Sequence, residues 1–519
     1  MQHRAHALDT RAGRVAVPRI AGLIALVLAV ACIAVGAAVA ITGSRGPGVA
    51  VRTRQPASPA SVLSGSPAAV SSGLARLLLS SAPSAVVADA ASAADVSAAS
   101  AIARRVHAPM LLMSSRGNAA AQQGPIRSAM KALNPRALLA VGISGTALTA
   151  ALPGINVVTT ASALPSATAA VPLRRLTVLV HQTHSGAGAA LATAAATTAR
   201  AAGAKAIYLS GFDPRLDPAA IRELAATRPS RIIGVGAQFG SASLLASRVA
   251  VAETGVQLPG GGQVLFPARR IVALYGCPGI RSLGALGQQG LAASIARAKA
   301  AAAQYSPLSD VPVVPAFEII ATVALGSPGP SGTYSYETSV AALRPWIQAA
   351  TKAGLYVTLD LQPGRANLLS QAEQYQSLLK LPNVGLALDP EWKLGPRQLP
   401  LRQIGSVSIG EVNSVVSWLA RLTARYRLPQ KLLELHEFRL TMIQDIQQLD
   451  TRHSDLALVI NMDGQGAPRS KQLTWAAVVA HAPKGVFFGW KDFYLKDRPM
   501  LGPRSTLNHQ PEPVLISYQ

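Results

Sequence analysis

The chain has 519 residues, half of them apolar but only 4% aromatic, and 48 Lys and Arg against 24 Asp and Glu give a formal net charge of +24. That length exceeds one ordinary domain, so two folded units behind a leader are expected. The charge suits polyanionic partners, but no dense Lys/Arg run interleaved with aromatics and no helix-turn-helix or zinc-finger spacing is present, which sets nucleic acid aside.

Residues 1–19 carry Arg4, Arg11, Arg14 and Arg19 against Asp9 and are predicted to be a basic cytoplasmic tail. Residues 20–42 hold an uncharged apolar run from Ile20 to Ile41, and about 20 such residues suffice to cross a bilayer as a helix. The expectation is a transmembrane anchor with the long C-terminal part outside the cytoplasm. Ala38-Val39-Ala40 also offers a small-x-small cleavage site, which leaves a removed signal peptide open. Residues 43–72, rich in Ser, Pro, Ala and Gly, are predicted to be a flexible linker. Cys32 lies inside the leader, so the exported part keeps one thiol, Cys277, and an internal disulfide is excluded.

From 73 to 253 short apolar strands alternate with Ala-rich helices, which predicts a Rossmann-like α/β domain with a parallel sheet. Strands are expected at Ala85–Asp89, Pro109–Met113 and Ala137–Gly142. The same cadence returns at Ala206–Ser210 and Arg231–Gly236, so two copies of one module are predicted. The pair Gly234 and Gly236 does not complete a dinucleotide-binding fingerprint, because Gly240 comes one residue late. Asp95-Val96-Ser97, Ala108-Pro109-Met110-Leu111-Leu112 and Val141-Gly142-Ile143-Ser144-Gly145 resemble the cell wall-binding type 2 repeat of bacterial surface proteins. That family usually carries three repeats, and the resemblance implies attachment to anionic wall polymers.

Beyond the Gly/Pro-rich break Gly255–Gln263, residues 266–519 present eight apolar strands, predicted at Arg270–Tyr275, Val311–Phe317, Tyr356–Leu361, Val384–Leu388, Lys431–Leu435, Leu456–Met462, Gly485–Gly489 and Val514–Ser517. Helical stretches separate most of them, including one expected at Leu440–Leu449. Eight alternations in about 250 residues are the size and order of a (β/α)8 TIM-type barrel.

Such barrels carry their chemistry where strands end. The predicted ends supply Glu318, then Asp360 and Gln362, Asp389 and Glu391, His436 and Glu437, Asp463, and Trp490 and Lys491. Acidic residues thus fall at five consecutive strand ends in a chain poor in them. In an extended strand Asp389 and Glu391 share one face, and a protonated carboxyl beside an ionised one is what glycosidic cleavage requires. Trp392 and Trp490 are predicted as flat platforms for a sugar ring. His453, His481 and His509 lie at no metal-ligand spacing, so no metal and no cofactor is expected.

The segment Leu388-Asp389-Pro390-Glu391-Trp392 resembles the Asp-x-Glu strand of chitinase-type and muramidase-type glycoside hydrolases, which are also barrels. The resemblance implies Glu391 as general acid and Asp389 as the residue that orients the reacting sugar. Glu318, Asp360, Gln362, His436, Asp463, Trp392, Trp490 and Lys491 are the expected substrate contacts. The resulting expectation is a membrane-anchored wall protein whose barrel binds, and as an enzyme hydrolyses, a cell-wall or amino-sugar polysaccharide. The alternative is a wall-polymer-binding protein without turnover.

Overall fold

A computed structural model of the protein describes residues 49–115 and 119–519. The predicted tail and apolar run, with Cys32, lie outside the described residues; within them no helix is long and apolar enough to cross a membrane.

The N-terminal part contains two four-stranded parallel sheets. In the first, Ser84–Asp89 lies between Met110–Met113 and Ala137–Val141, with Val157–Val158 outside the latter. In the second, Leu176–His181 lies between Lys205–Leu209 and Arg231–Val235. Both therefore place their strands in the order second, first, third, which matches the predicted duplication. Alanine-rich helices let the copies approach closely: Ala93–Arg105 packs on Gly186–Ala201 through buried Ala99, Ala103, Ala190 and Ala194. The hydroxyls of Ser100 and Thr197 meet at 2.8 Å across that contact.

The predicted linker is overturned over most of its length. Ala60–Leu63 is the fourth strand of the second sheet, paired in parallel with Arg231–Val235. Pro67–Leu78 is a helix capped by Ser66, whose hydroxyl accepts from the Ala69 amide. Low apolar content misled because small residues do the packing here. Ser71 and Ser72 are buried, and Ser71 Oγ accepts a hydrogen bond from the Leu112 amide.

The C-terminal part is a closed barrel of eight parallel strands: Arg270–Gly276, Val313–Ala324, Tyr356–Leu361, Val384–Leu388, Lys431–His436, Leu456–Met462, Phe487–Asp492 and Leu515–Tyr518. The first strand pairs with both the second and the eighth, which closes the ring. The expected helix at Leu440–Leu449 is absent. Ile443–Gln444 pairs with Val407–Ser408, and Asp445 has a left-handed φ of 57°, which breaks any helical run. Met442, Ile443 and Ile446 are all buried, so the segment is fixed by its burial.

The Gly/Pro-rich break is an ordered plug. Leu258, Leu265 and Phe266 join the apolar floor of the barrel, and the Arg269 guanidinium donates to the carbonyls of Pro259, Gly261 and Val264.

Candidate active site

Strand alternation decides which side chains enter the barrel. On the fifth strand Leu433 and Leu435 face the helices, while Leu432, Glu434 and His436 face inward. The second strand turns Phe317 and Ile319 outward and Ala316 and Glu318 inward. The interior therefore has two tiers. The lower is apolar, built from Ile271, Ala273, Val314, Ala316, Tyr356, Leu432, Ala457, Val459 and Leu515. The upper tier, nearer the strand ends, is polar.

His436 is the hub of the upper tier. Its Nδ1 lies 2.9 Å from Asp463 Oδ2, and its Nε2 lies 2.9 Å from Glu318 Oε1, 3.5 Å from Glu434 Oε1 and 4.0 Å from Asp360 Oδ1. Glu318, Asp360, Glu434 and His436 are all 0% exposed. Tyr275 donates its hydroxyl to Asp360 Oδ2 at 3.0 Å and accepts from Gln362 Nε2 at 3.2 Å. Asn461 donates to Glu434 Oε1 at 2.6 Å. The Lys491 ammonium stands 3.4 Å from the centroid of the Tyr275 ring, a cation–π contact.

Crowding of carboxyls away from water moves their titration. Burial, outweighing the pull of His436, raises Asp360 to about 6, and burial raises Glu434 to about 8. Asp389 is pushed well above the usual carboxylate range by burial and by Glu391. Burial and Lys491 oppose the charged form of His436, but Asp463 and Glu318 overcome them and hold it well above its ordinary value. Burial also disfavours the charge on Asp463, yet His436 wins and keeps it below its ordinary value.

Above this tier opens a cavity of about 280 Å³. Glu391 and Asp463 both line it, and Tyr275, Trp392, Phe438 and Phe493 contribute four aromatic rings. Burial, reinforced by Asp463, lifts Glu391 to about 7. A neighbouring cavity of about 380 Å³ shares Glu391 and Trp392 and adds Arg402 and Arg439.

The chain leaves extended geometry sooner than expected. The fourth strand ends at Leu388, and Pro390–Trp392 forms a tight turn, so Asp389 and Glu391 do not share a strand face. Asp389 stays beneath, 1% exposed, whereas the turn delivers Glu391 and Trp392 to the cavity. A proline after the strand's last inward carboxylate is the physical cause, since its fixed φ and missing N–H end the ladder.

Of the predicted residues, Glu318, Asp360, Gln362, Asp389, Glu391, Trp392, His436, Asp463 and Lys491 converge at one end of the barrel. Trp490 does not. Its ring is fully buried on the outer side, against Trp475 and His509, and its Nε1 donates to Asp492. One residue of register separates it from Lys491, so the two side chains leave opposite faces. Glu434 and Tyr275 were missed because they fall within the strands predicted at Lys431–Leu435 and Arg270–Tyr275, and the chemistry was expected where those runs stop. The alternation Leu432, Glu434, His436 within a strand so apolar was the signal for Glu434. Glu437 is buried, and burial raises it to about 8. Cys277 is buried beside Tyr275 and Ile320, and burial pushes its thiol up, which keeps it neutral and unreactive.

Two sets of ligand-type atoms, Glu318, Glu434 and His436, and Asp389, His436 and Asp463, each lie within 4.8 Å of one another, although the spacing of histidines in the sequence had pointed to no metal. A scan of protein-family models and searches of the curated proteins and of the solved structures find no match to this chain.

Proposed function

We propose that the barrel binds a cell-wall or amino-sugar polysaccharide and hydrolyses its glycosidic bonds, with Glu391 as general acid and Asp463 as the ionised partner. The observation that carries this reading is a single cavity lined by both carboxyls and by four aromatic rings. A carboxyl titrating near 7 beside one held ionised is the pairing that glycoside cleavage needs. Glu391 gives its proton to the leaving oxygen as the bond to the anomeric carbon breaks. Asp463 stabilises the positive charge that develops there. Water then adds its hydroxyl to that carbon, and its proton restores Glu391. Trp392 supports the sugar face, Gln362 and Lys491 reach its hydroxyls, and Asp389 lies buried beneath them.

The test compares the protein with Glu391→Gln on purified wall glycan, reading released reducing ends. Equal activity in both removes Glu391 from the mechanism. Binding without release in both supports the second reading, a wall-polymer-binding protein without turnover. That reading draws on exposed Arg402 and Arg439 in the adjoining cavity, which suit an anionic polymer.

Placement outside the cytoplasm, tethered by the run Ile20–Ile41, is part of the same proposal and rests on sequence. Recovery of the full chain in the cytosolic fraction would sink it.

A further inference from the structure

We propose that the upper tier of the barrel is a divalent-cation site, with Glu318, Glu434 and His436 as ligands and Asp360 within reach. Both oxygens of Glu318, Oε2 of Glu434, Oδ1 of Asp360 and Nε2 of His436 are buried without a hydrogen-bond partner. Buried polar atoms normally find partners, and of these His436 Nε2 lies 2.9 Å from Glu318 Oε1 and 4.0 Å from Asp360 Oδ1, close enough to share a positive occupant.

The spacing fits a metal. Ligand atoms about 2.1 Å from a cation stand ~3.0 Å apart at right angles and ~3.4 Å apart in a tetrahedron. His436 Nε2 lies 2.9 Å from Glu318 Oε1 and 3.5 Å from Glu434 Oε1. The other ring nitrogen faces Asp463 Oδ2 at 2.9 Å, the carboxylate–histidine arrangement that fixes a tautomer and aims the opposite lone pair at a metal. A cation at this point would take the place of the Nε2 proton that otherwise faces Glu318 Oε1 at 2.9 Å. Lys491 lends positive charge to this tier from a distance, without touching the carboxylates. Among the described residues its ammonium makes no ion pair within 4.0 Å and lies instead against the Tyr275 ring.

Carboxylates with one imidazole suit manganese or zinc better than magnesium, which keeps its water and prefers oxygen alone. The site lies under the cavity, and Asp463, which lines that cavity, holds His436 from the opposite nitrogen, so an occupant fixes His436 and, through it, the carboxylate that faces substrate.

Full-length protein stripped with a chelator is titrated with MnCl₂, ZnCl₂ and MgCl₂ by calorimetry. The expected result is one equivalent of manganese or zinc per chain, with magnesium binding at least tenfold weaker. Glu318→Gln should lower affinity at least tenfold with an unchanged circular dichroism spectrum. If that variant does not fold, the wild-type manganese complex decides the matter by pulsed paramagnetic resonance. Coupling to one imidazole nitrogen supports the site, and its absence overturns it. No saturable binding, as when a proton occupies Nε2, or equal affinity in a folded Glu318→Gln, also overturns it. The titration contains no glycan, so its failure and that of the hydrolase reading are separate outcomes.

Discussion

The two tiers of the barrel interior come from the same strands, yet one is a packed floor and the other a charged chamber. Ala273 is followed two residues on by Tyr275, Ala316 by Glu318, Leu432 by Glu434, Val459 by Asn461, and Leu515 by Ser517. Both tiers are buried, so burial does not distinguish them. What differs is whether the buried atoms are satisfied. The floor gains from apolar contact, while the chamber holds ionisable groups against their desolvation cost. Stability and chemistry are thus divided along each strand by a single two-residue step.

Breaking the chamber should leave the floor standing. Glu391→Gln is expected to lower kcat by about 10³-fold, within the range for loss of a general acid, with an unchanged unfolding midpoint. In the unmodified protein kcat should fall as pH rises through about 7, because the proton that Glu391 donates is then lost. A rate that climbs with pH through this window would contradict that role. Breaking the floor should do the reverse. Leu432→Ala, at a fully buried position, is expected to cost about 3 kcal/mol in urea unfolding and to leave the pH profile in place.

Smaller effects sharpen the same contrast. Trp392→Ala should raise KM about tenfold, with kcat changed less, as expected for loss of a stacking face. Per pH unit the smallest effect concerns a charged group near the floor. Lys431 is 0% exposed, donates to the carbonyls of Leu381 and Val384 at 2.6 and 2.9 Å, and is lowered by burial to about 7. An unfolded lysine keeps its proton to about pH 10.4. Between those values the unfolded chain binds more protons, so stability should rise with pH from 7 to 10 and level off below 7, where both states hold the proton. The expected slope is on the order of 1 kcal/mol per pH unit, and Lys431→Met should flatten it. An equal slope in that variant would assign it to another group.

The barrel was legible because its strands are continuous apolar runs, the mark of parallel strands buried on both faces. Tyr356–Leu361, Val384–Leu388 and Leu456–Met462 are bounded in the structure as the sequence predicts. The seventh strand, expected at Gly485–Gly489, runs Phe487–Asp492, and that shift is what misassigned Trp490. Carboxylates after strands could be read, because polar residues stand out where apolar runs stop. Glu434 could not be found by that rule, since its role depends on facing a closed interior. Nor could the folding of residues 49–72 be read locally, because Ala60–Leu63 acquires its partner only from Arg231–Val235.

That last pairing interlocks the two sheet copies. The second sheet borrows its outermost strand from chain that precedes the first, so neither copy can be excised at a boundary drawn between them. A fragment beginning at residue 73 would expose the flank of Arg231–Val235 and invite a foreign strand to dock there. During synthesis the early segment must wait until some 170 residues have followed it before its seat exists, roughly the separation of Leu63 from Val235.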